Sequence, residues 1–178
     1  MVRITAGRFR GRRLEVPRGV RPTTEIARKA VFDILGGAVV GARVLDACAG
    51  SGAYGLEALS RGAAHVTFVE KERKRREILE ENIASLGVAA LARVEGRSAG
   101  AYATLAGGGL SPARFDVIFH DPPWEDSPLE DVRLLLMLLS PGGVLVHERG
   151  DDALPTPDAA PPTDRRRYGT TRLLFFGG

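Results

Sequence analysis

The feature that most constrains this chain is a glycine-rich turn. It lies in Val44-Leu45-Asp46-Ala47-Cys48-Ala49-Gly50-Ser51-Gly52-Ala53-Tyr54-Gly55, between an apolar run and a helical pattern. Val44–Ala47 reads as a short buried strand and Tyr54–Arg61 as a helix. The turn therefore falls where a parallel strand feeds its crossover helix, the usual ligand edge of such sheets. Gly50 and Gly52 let backbone approach a ligand closely, and the helix start offers free N–H groups. The spacing also satisfies G-x-G-x-x-G, the dinucleotide fingerprint. Two features oppose that reading. Asp46 ends the strand four residues before Gly50, where a pyrophosphate would meet an unwanted negative charge, and the turn is longer than a tight dinucleotide turn.

An acid beside the turn suits a ligand carrying a cation and an amine. S-adenosylmethionine has both, as a sulfonium and an α-ammonium group. Glu70 closes the next strand, His65–Val69, twenty residues after Gly50. A carboxylate there can accept both ribose hydroxyls. Asp46, Ala47, Gly50, Ser51, Gly52, Glu70 and Lys71 are the expected cofactor contacts. A third strand is expected over Ala89–Val94, with Arg97 and Ser98 reading the adenine ring. Cys48 is expected to be a packing residue, since no histidine lies near it in sequence.

Beyond the turn, strand and helix patterns alternate. Glu72–Leu86 reads as an amphipathic helix stopped by Gly87, and Ala99–Leu105 as a short helix. Phe115–Phe119 reads as a strand, Leu129–Leu139 as a helix and Gly143–His147 as a strand. Strands separated by helices imply a parallel sheet with right-handed crossovers. Asp151–Thr163 holds four of the eleven prolines and reads as a loop. Arg165–Tyr168 and Arg172–Phe176, around Gly169-Thr170-Thr171, read as an antiparallel hairpin. At the other end, residues 1–20 read as a small β-hairpin or extended arm. A helix should start at Arg21–Glu25, with Ala27, Ala30, Val31, Ile34 and Leu35 on one face up to Gly36-Gly37. The expected fold is α/β and Rossmann-like, with a mostly parallel sheet, an antiparallel C-terminal hairpin and a short N-terminal basic β arm. Residues 1–37 form the expected RNA-contacting arm and helix, and residues 38–178 the catalytic domain.

Asp121-Pro122-Pro123-Trp124 directly follows the strand Phe115–Phe119, at the ligand edge. An exocyclic base amine delocalises its lone pair into the ring and is a poor nucleophile. A carboxylate (Asp121) and a rigidly held carbonyl (Pro122) can accept its two N–H groups and favour the charge that grows on nitrogen. Pro123 stiffens the turn, and Trp124 can stack on an extruded base. Asp121, Pro122, Pro123 and Trp124 are thus the candidate catalytic residues. An ordinary strand-ending turn would also accommodate these residues if the glycine turn were absent.

Charge is unevenly placed. Residues 1–29 carry nine basic and two acidic side chains and net +7, whereas the remainder nets −4. Arg3, Arg8, Arg10, Arg12, Arg13 and Arg21 are the candidate RNA contacts, since a basic lobe on an acidic body fits a polyanion. The single cysteine fits a reducing cytoplasm. No apolar run reaches a membrane span, and a chain of 178 residues buries enough core to need no metal.

These segments together resemble the RsmD-type family of 16S ribosomal RNA (guanine-N2)-methyltransferases. The resemblance rests on Arg3-Ile4-Thr5-Ala6-Gly7, Gly11-Arg12-Arg13-Leu14, Arg21-Pro22-Thr23-Thr24 and Arg28-Lys29-Ala30-Val31-Phe32. It continues in Gly50–Ala63, Asp121-Pro122-Pro123 and Arg167-Tyr168-Gly169, and so covers nearly the whole chain. Arg97-Ser98 departs from it, standing where the family usually has an aspartate. The resemblance implies a class I S-adenosylmethionine-dependent fold. It also implies a bacterial, cytoplasmic enzyme, expected to be a monomer, acting on 16S rRNA in the small ribosomal subunit or an assembly intermediate. The competing expectations are an adenine N6-methyltransferase acting on DNA or RNA, a nicotinamide oxidoreductase and a non-catalytic RNA-binding protein. The oxidoreductase would leave Asp121–Trp124 idle, and the binding protein would leave the glycine turn unexplained.

Overall fold

Apolar runs of four to six residues between helical segments can bury both faces only by pairing side by side beneath their helices. They do so in a computed structural model, which describes residues 2–17, 25–108, 113–123, 129–150 and 161–177. Val2–Arg3 (β1) and Arg13–Leu14 (β2) pair antiparallel. Glu25–Leu35 (α1) follows, then Arg43–Asp46 (β3), Ala53–Ser60 (α2), His65–Val69 (β4), Arg73–Leu86 (α3) and Ala92–Glu95 (β5). Ala99–Gly107 (α4), Phe115–His120 (β6), Leu129–Leu136 (α5), Leu139–Gly150 (β7), Asp164–Tyr168 (β8) and Thr171–Gly177 (β9) complete the order.

Strands β3 to β9 form one sheet in the order β5-β4-β3-β6-β7-β9-β8. The first five are parallel, whereas β9 runs antiparallel to both β7 and β8. This is the α/β, mostly parallel architecture with an antiparallel C-terminal hairpin that the sequence implied. The pleat divides the side chains between two cores. Val44, Phe68, Val117 and Phe119 pack with Phe32, Tyr54, Leu56 and Leu79 of α1 to α3. Leu45, Val69, Ile118 and Leu145 pack with Ala103 of α4 and with Val132 and Leu135 of α5. Among the described residues no helix is long and apolar enough to cross a membrane.

Several boundaries differ from the sequence reading. Residues 89–91 form a 3-10 turn rather than strand, because Leu91 N–H donates back to Val88 O just after Gly87 ends α3 in the left-handed region. The helix expected to reach Leu139 ends at Leu136, since Leu139 is drawn into register with Phe115. Strand β7 outruns Gly143–His147 because β9 gives it ladder partners as far as Gly150 opposite Thr171. The final turn is shorter than expected, as Thr171 already pairs with Tyr168. In α1, Arg28 and Phe32 are buried while Ile34 is 43% exposed, so the inward face is rotated from the one expected. The helix start at Arg21–Thr24 lies outside the described residues.

The rotation of α1 traces to one carboxylate. Glu57 on α2 is fully buried and accepts hydrogen bonds from Thr5 N–H (2.7 Å), Thr5 Oγ1 (2.7 Å) and Ala6 N–H (3.0 Å). Arg61 Nε stands 2.8 Å from it and Arg28 Nε 3.8 Å. Arg28, itself buried, also donates from Nη2 to Arg3 O. Burial lowers the Arg28 pKa, and Glu57 is the largest influence raising it again. Beside this knot, Ser60 Oγ donates to Ala6 O and accepts from Phe9 N–H. A Cβ on Gly7, whose φ is +77°, would collide with the Ser60 carbonyl oxygen. Val2, Ile4 and Leu14 share the core of α1 to α3, so the N-terminal hairpin is docked.

Removing Glu57 strands Arg28 as a buried cation and frees two backbone donors. Glu57→Ala is therefore expected to cost about 3–5 kcal/mol of stability, the range for breaking a buried ion pair. Urea unfolding of the purified variant checks this, and a loss below about 1 kcal/mol would show the knot to be energetically idle.

Candidate active site

In an open parallel sheet, ligands bind where the strand carboxyl ends meet the loops into the helices. Asp46, Glu70 and Asp121 stand at or just beyond that edge, on the neighbouring strands β3, β4 and β6. Asp46 is buried, and its Oδ2 accepts the Gly55 N–H at 2.9 Å, pinning the first turn of α2. Gly55 must lack a side chain, since a Cβ there would strike the Phe68 ring. Glu70 is also buried: Oε2 accepts Gly50 N–H (3.0 Å) and Oε1 accepts Glu72 N–H (2.9 Å). The glycine turn is thus tied to the end of the next strand, with Gly50 at φ +54° and open space where its Cβ would lie. Asn82 of α3 holds the turn from behind, donating to Ser51 O (3.0 Å) and Glu15 O (2.9 Å) and accepting Glu15 N–H (2.9 Å).

The three carboxylates feel one another. Burial pushes the Asp46 pKa up to about 7, and Asp121 and Glu70 add to the rise against the Gly55 hydrogen bond. The Cys48 thiol is driven well up by burial and by the same acids. An edge that holds the Asp46 carboxyl partly protonated near neutral pH is prepared for a cation. The raised thiol pKa leaves Cys48 inert as a nucleophile.

The remaining expected residues fall as follows. Ala47 is buried and its N–H donates to Phe119 O, which ties β3 to β6. Gly52 sits at φ +85°, where a Cβ would stand 2.6 Å from Leu79 Cδ1. The Lys71 carbonyl accepts from Arg76. Ser98 caps α4 through Ala101 N–H, and Arg97 is exposed, 3.7 Å from Glu95. Asp121 is half-buried, Pro122 buried and Pro123 exposed. Arg3, Arg8, Arg10, Arg12 and Arg13 are exposed on the docked hairpin, with Arg8 over the Phe9 ring and Arg12 donating to Ser85 O. Trp124 and Arg21 lie outside the described residues.

Sequence reasoning missed two buried groups. Tyr54 stacks on Phe119 (centroids 4.7 Å apart) and donates to Glu148 Oε2 at 2.8 Å. His120, next to Asp121, stacks on His147 with centroids 4.9 Å apart, and His147 Nδ1 meets His120 O at 3.2 Å. Among the described residues, neither ring nitrogen of His120 has a hydrogen-bond partner. The available signal was a histidine at the end of each of two adjacent apolar runs. Neither carried a motif.

The conserved hypothetical protein 95 family matches residues 2–177. The chain is 38% identical over 161 residues to ribosomal RNA small subunit methyltransferase D of Escherichia coli, covering 87% of this chain and 78% of that protein. A solved Escherichia coli structure, provisionally described as a methyltransferase, superposes with a TM-score of 0.84 at 34% identity, over 99% of this chain and 97% of that one. A hypothetical protein of Thermus thermophilus gives a TM-score of 0.87 at 34% identity, with 100% of both chains covered.

Burial lowers both histidine pKa values, His120 well below its ordinary value and His147 to about 4. Unfolded imidazoles bind protons below about 6.5, whereas these do not. The stability they contribute by staying neutral is present above about 6.5 and is lost as pH falls towards 4. Asp46 works in the opposite sense, because the folded state holds its proton up to about 7. The expected observable is therefore a difference. Between about pH 6.5 and 4.5, His120→Val/His147→Val should lose less stability than the wild type. Parallel urea midpoints for the two proteins across that range would overturn the assignment.

Proposed function

The chain belongs to the family described as conserved hypothetical protein 95, the RsmD family, and on that premise we propose that it methylates small-subunit ribosomal RNA. The donor is S-adenosylmethionine and the acceptor is the exocyclic N2 amine of a guanine in 16S rRNA, within the small subunit or an assembly intermediate. One observation carries this reading: Asp46, Glu70 and Asp121 gather at the strand ends around a glycine turn, with Pro122-Pro123 completing the edge.

The residues present fit such a donor. The space open at Gly50 admits a ligand against the backbone, and the raised pKa of Asp46 beside Glu70 and Asp121 favours a ligand bearing positive charge. Asp46, Ala47, Gly50, Ser51, Gly52, Glu70 and Lys71 would hold it, with Arg97 and Ser98 towards the adenine. When bound, it supplies an electrophilic methyl group. The protein's own part is orientation. Glu70 keeps the turn open by holding Gly50 N–H, and Asp46 fixes the start of α2. Asp121 accepts one N–H of the target amine and the Pro122 carbonyl the other, holding the nitrogen in line for transfer. Trp124 stacks on the base, and the basic hairpin and α1 within residues 1–37 contact the phosphates.

Because a bound cation favours ionised Asp46, donor binding is expected to release protons near pH 7 and to tighten as pH rises from about 6 to 8. Titration calorimetry in buffers of different ionisation enthalpy measures the release, and the same pH dependence in Asp46→Asn would remove Asp46 from the account. Asp121→Ala should slow single-turnover methyl transfer roughly a hundredfold or more while leaving donor affinity nearly unchanged. Digestion of the product to nucleosides reads the acceptor directly. N2-methylguanosine is the expected product, and N6-methyladenosine would replace the guanine reading with an adenine one.

A further inference from the structure

The antiparallel end of the sheet carries a row of arginines. Arg149 on β7 stands directly opposite Arg172 on β9, and Arg172 directly opposite Arg167 on β8. Directly paired residues project from the same face, so three guanidinium side chains lie side by side across three adjacent strands. The face is fixed by its neighbours: Leu145, Leu174 and Phe176, in phase with the row, belong to the core beneath α4 and α5. Arg165, opposite Leu174, shares that face. Arg167 and Arg172 are exposed, whereas Arg149, at the inner end of the row, is buried.

Like charges placed directly opposite one another across a ladder destabilise a sheet. Here two such pairs abut, and the Arg149 pKa is lowered by burial and then by Arg172. Their position gives the row a use. His147 pairs with His120, the residue before Asp121, and Arg149 lies two residues further along β7. The row therefore begins at the carboxyl edge that holds the candidate catalytic motif and runs to the outer strand β8. The basic hairpin β1-β2, in contrast, is docked on α2 and α3, on the opposite side of the sheet.

We propose that the exposed Arg172 and Arg167, backed by the buried Arg149, form a phosphate-binding track that holds the RNA backbone leading away from the target nucleotide. The inference rests on the RNA-methyltransferase reading and adds a second, separate nucleic-acid surface to it. Guanidinium groups about one strand spacing apart offer forked donors to consecutive phosphates and carry no sequence information, so the track positions the strand without selecting the base.

The test uses the full chain and a transcript of small-subunit ribosomal RNA. The exposed pair is replaced as Arg167→Ala/Arg172→Ala, and as Arg167→Lys/Arg172→Lys for a charge-preserving control, each with its thermal midpoint and S-adenosylmethionine affinity measured. The alanine variant is expected to keep donor affinity and to show a plot of log affinity against log salt shallower by about 1.5, the loss of two phosphate contacts. The lysine variant should keep the wild-type slope. If the wild type binds RNA with a steep salt dependence and the alanine variant matches it, the track is overturned and the functional reading stands. If the wild type binds RNA with no salt dependence and transfers no methyl group to it, the functional reading falls, and the track with it.

Discussion

The buried Glu57 carboxylate is the interaction on which the arrangement of this molecule depends. A carboxylate with no exposure survives only if its lone pairs are filled and its charge matched. Glu57 meets that demand with the backbone of the N-terminal hairpin, the Arg61 side chain on its own helix and Arg28 from α1. The N-terminal hairpin and α1 are thereby obliged to meet on α2. The same helix begins at the glycine turn and is pinned there by Asp46. One helix thus fixes the position of the N-terminal hairpin and the shape of the ligand edge. Asn82 makes the same connection from α3, holding Glu15 and Ser51 with one amide.

The sheet separates two jobs between its halves. Its parallel strands end in acids, Asp46, Glu70 and Asp121, and burial together with the two neighbouring acids raises the Asp46 pKa and favours a positively charged ligand. Its antiparallel end carries arginines in register. The boundary runs along β6 and β7, where His120 and His147 stack as neutral rings between the acidic edge and the basic row.

Legibility of these features in the sequence followed the range of the forces involved. The glycine turn, the strand ends and Asp121-Pro122-Pro123 were readable because local backbone demands and strand–helix periodicity fix them. Boundaries decided by a neighbouring strand were not readable, as with Leu139 and the extra residues of β7. Nor was the rotation of α1: Ile34 is as apolar as Val31, but only the second faces the core, because Glu57 draws Arg28 inward. Tyr54–Glu148 joins residues 94 positions apart, and no local pattern announces it.

The sequence alone determined the α/β alternation, the position of the glycine turn, the acids that close successive strands and the uneven placing of charge. Each is a property of a residue and its near neighbours. The tertiary structure alone decided which residues meet. It docked the arginine-rich hairpin on α2, brought Asp46, Glu70 and Asp121 within electrostatic reach, stacked His120 on His147 and aligned Arg149, Arg172 and Arg167 across three strands. Register is the reason. A one-residue slip between β7 and β9 would leave every residue type unchanged and turn the arginines away from one another.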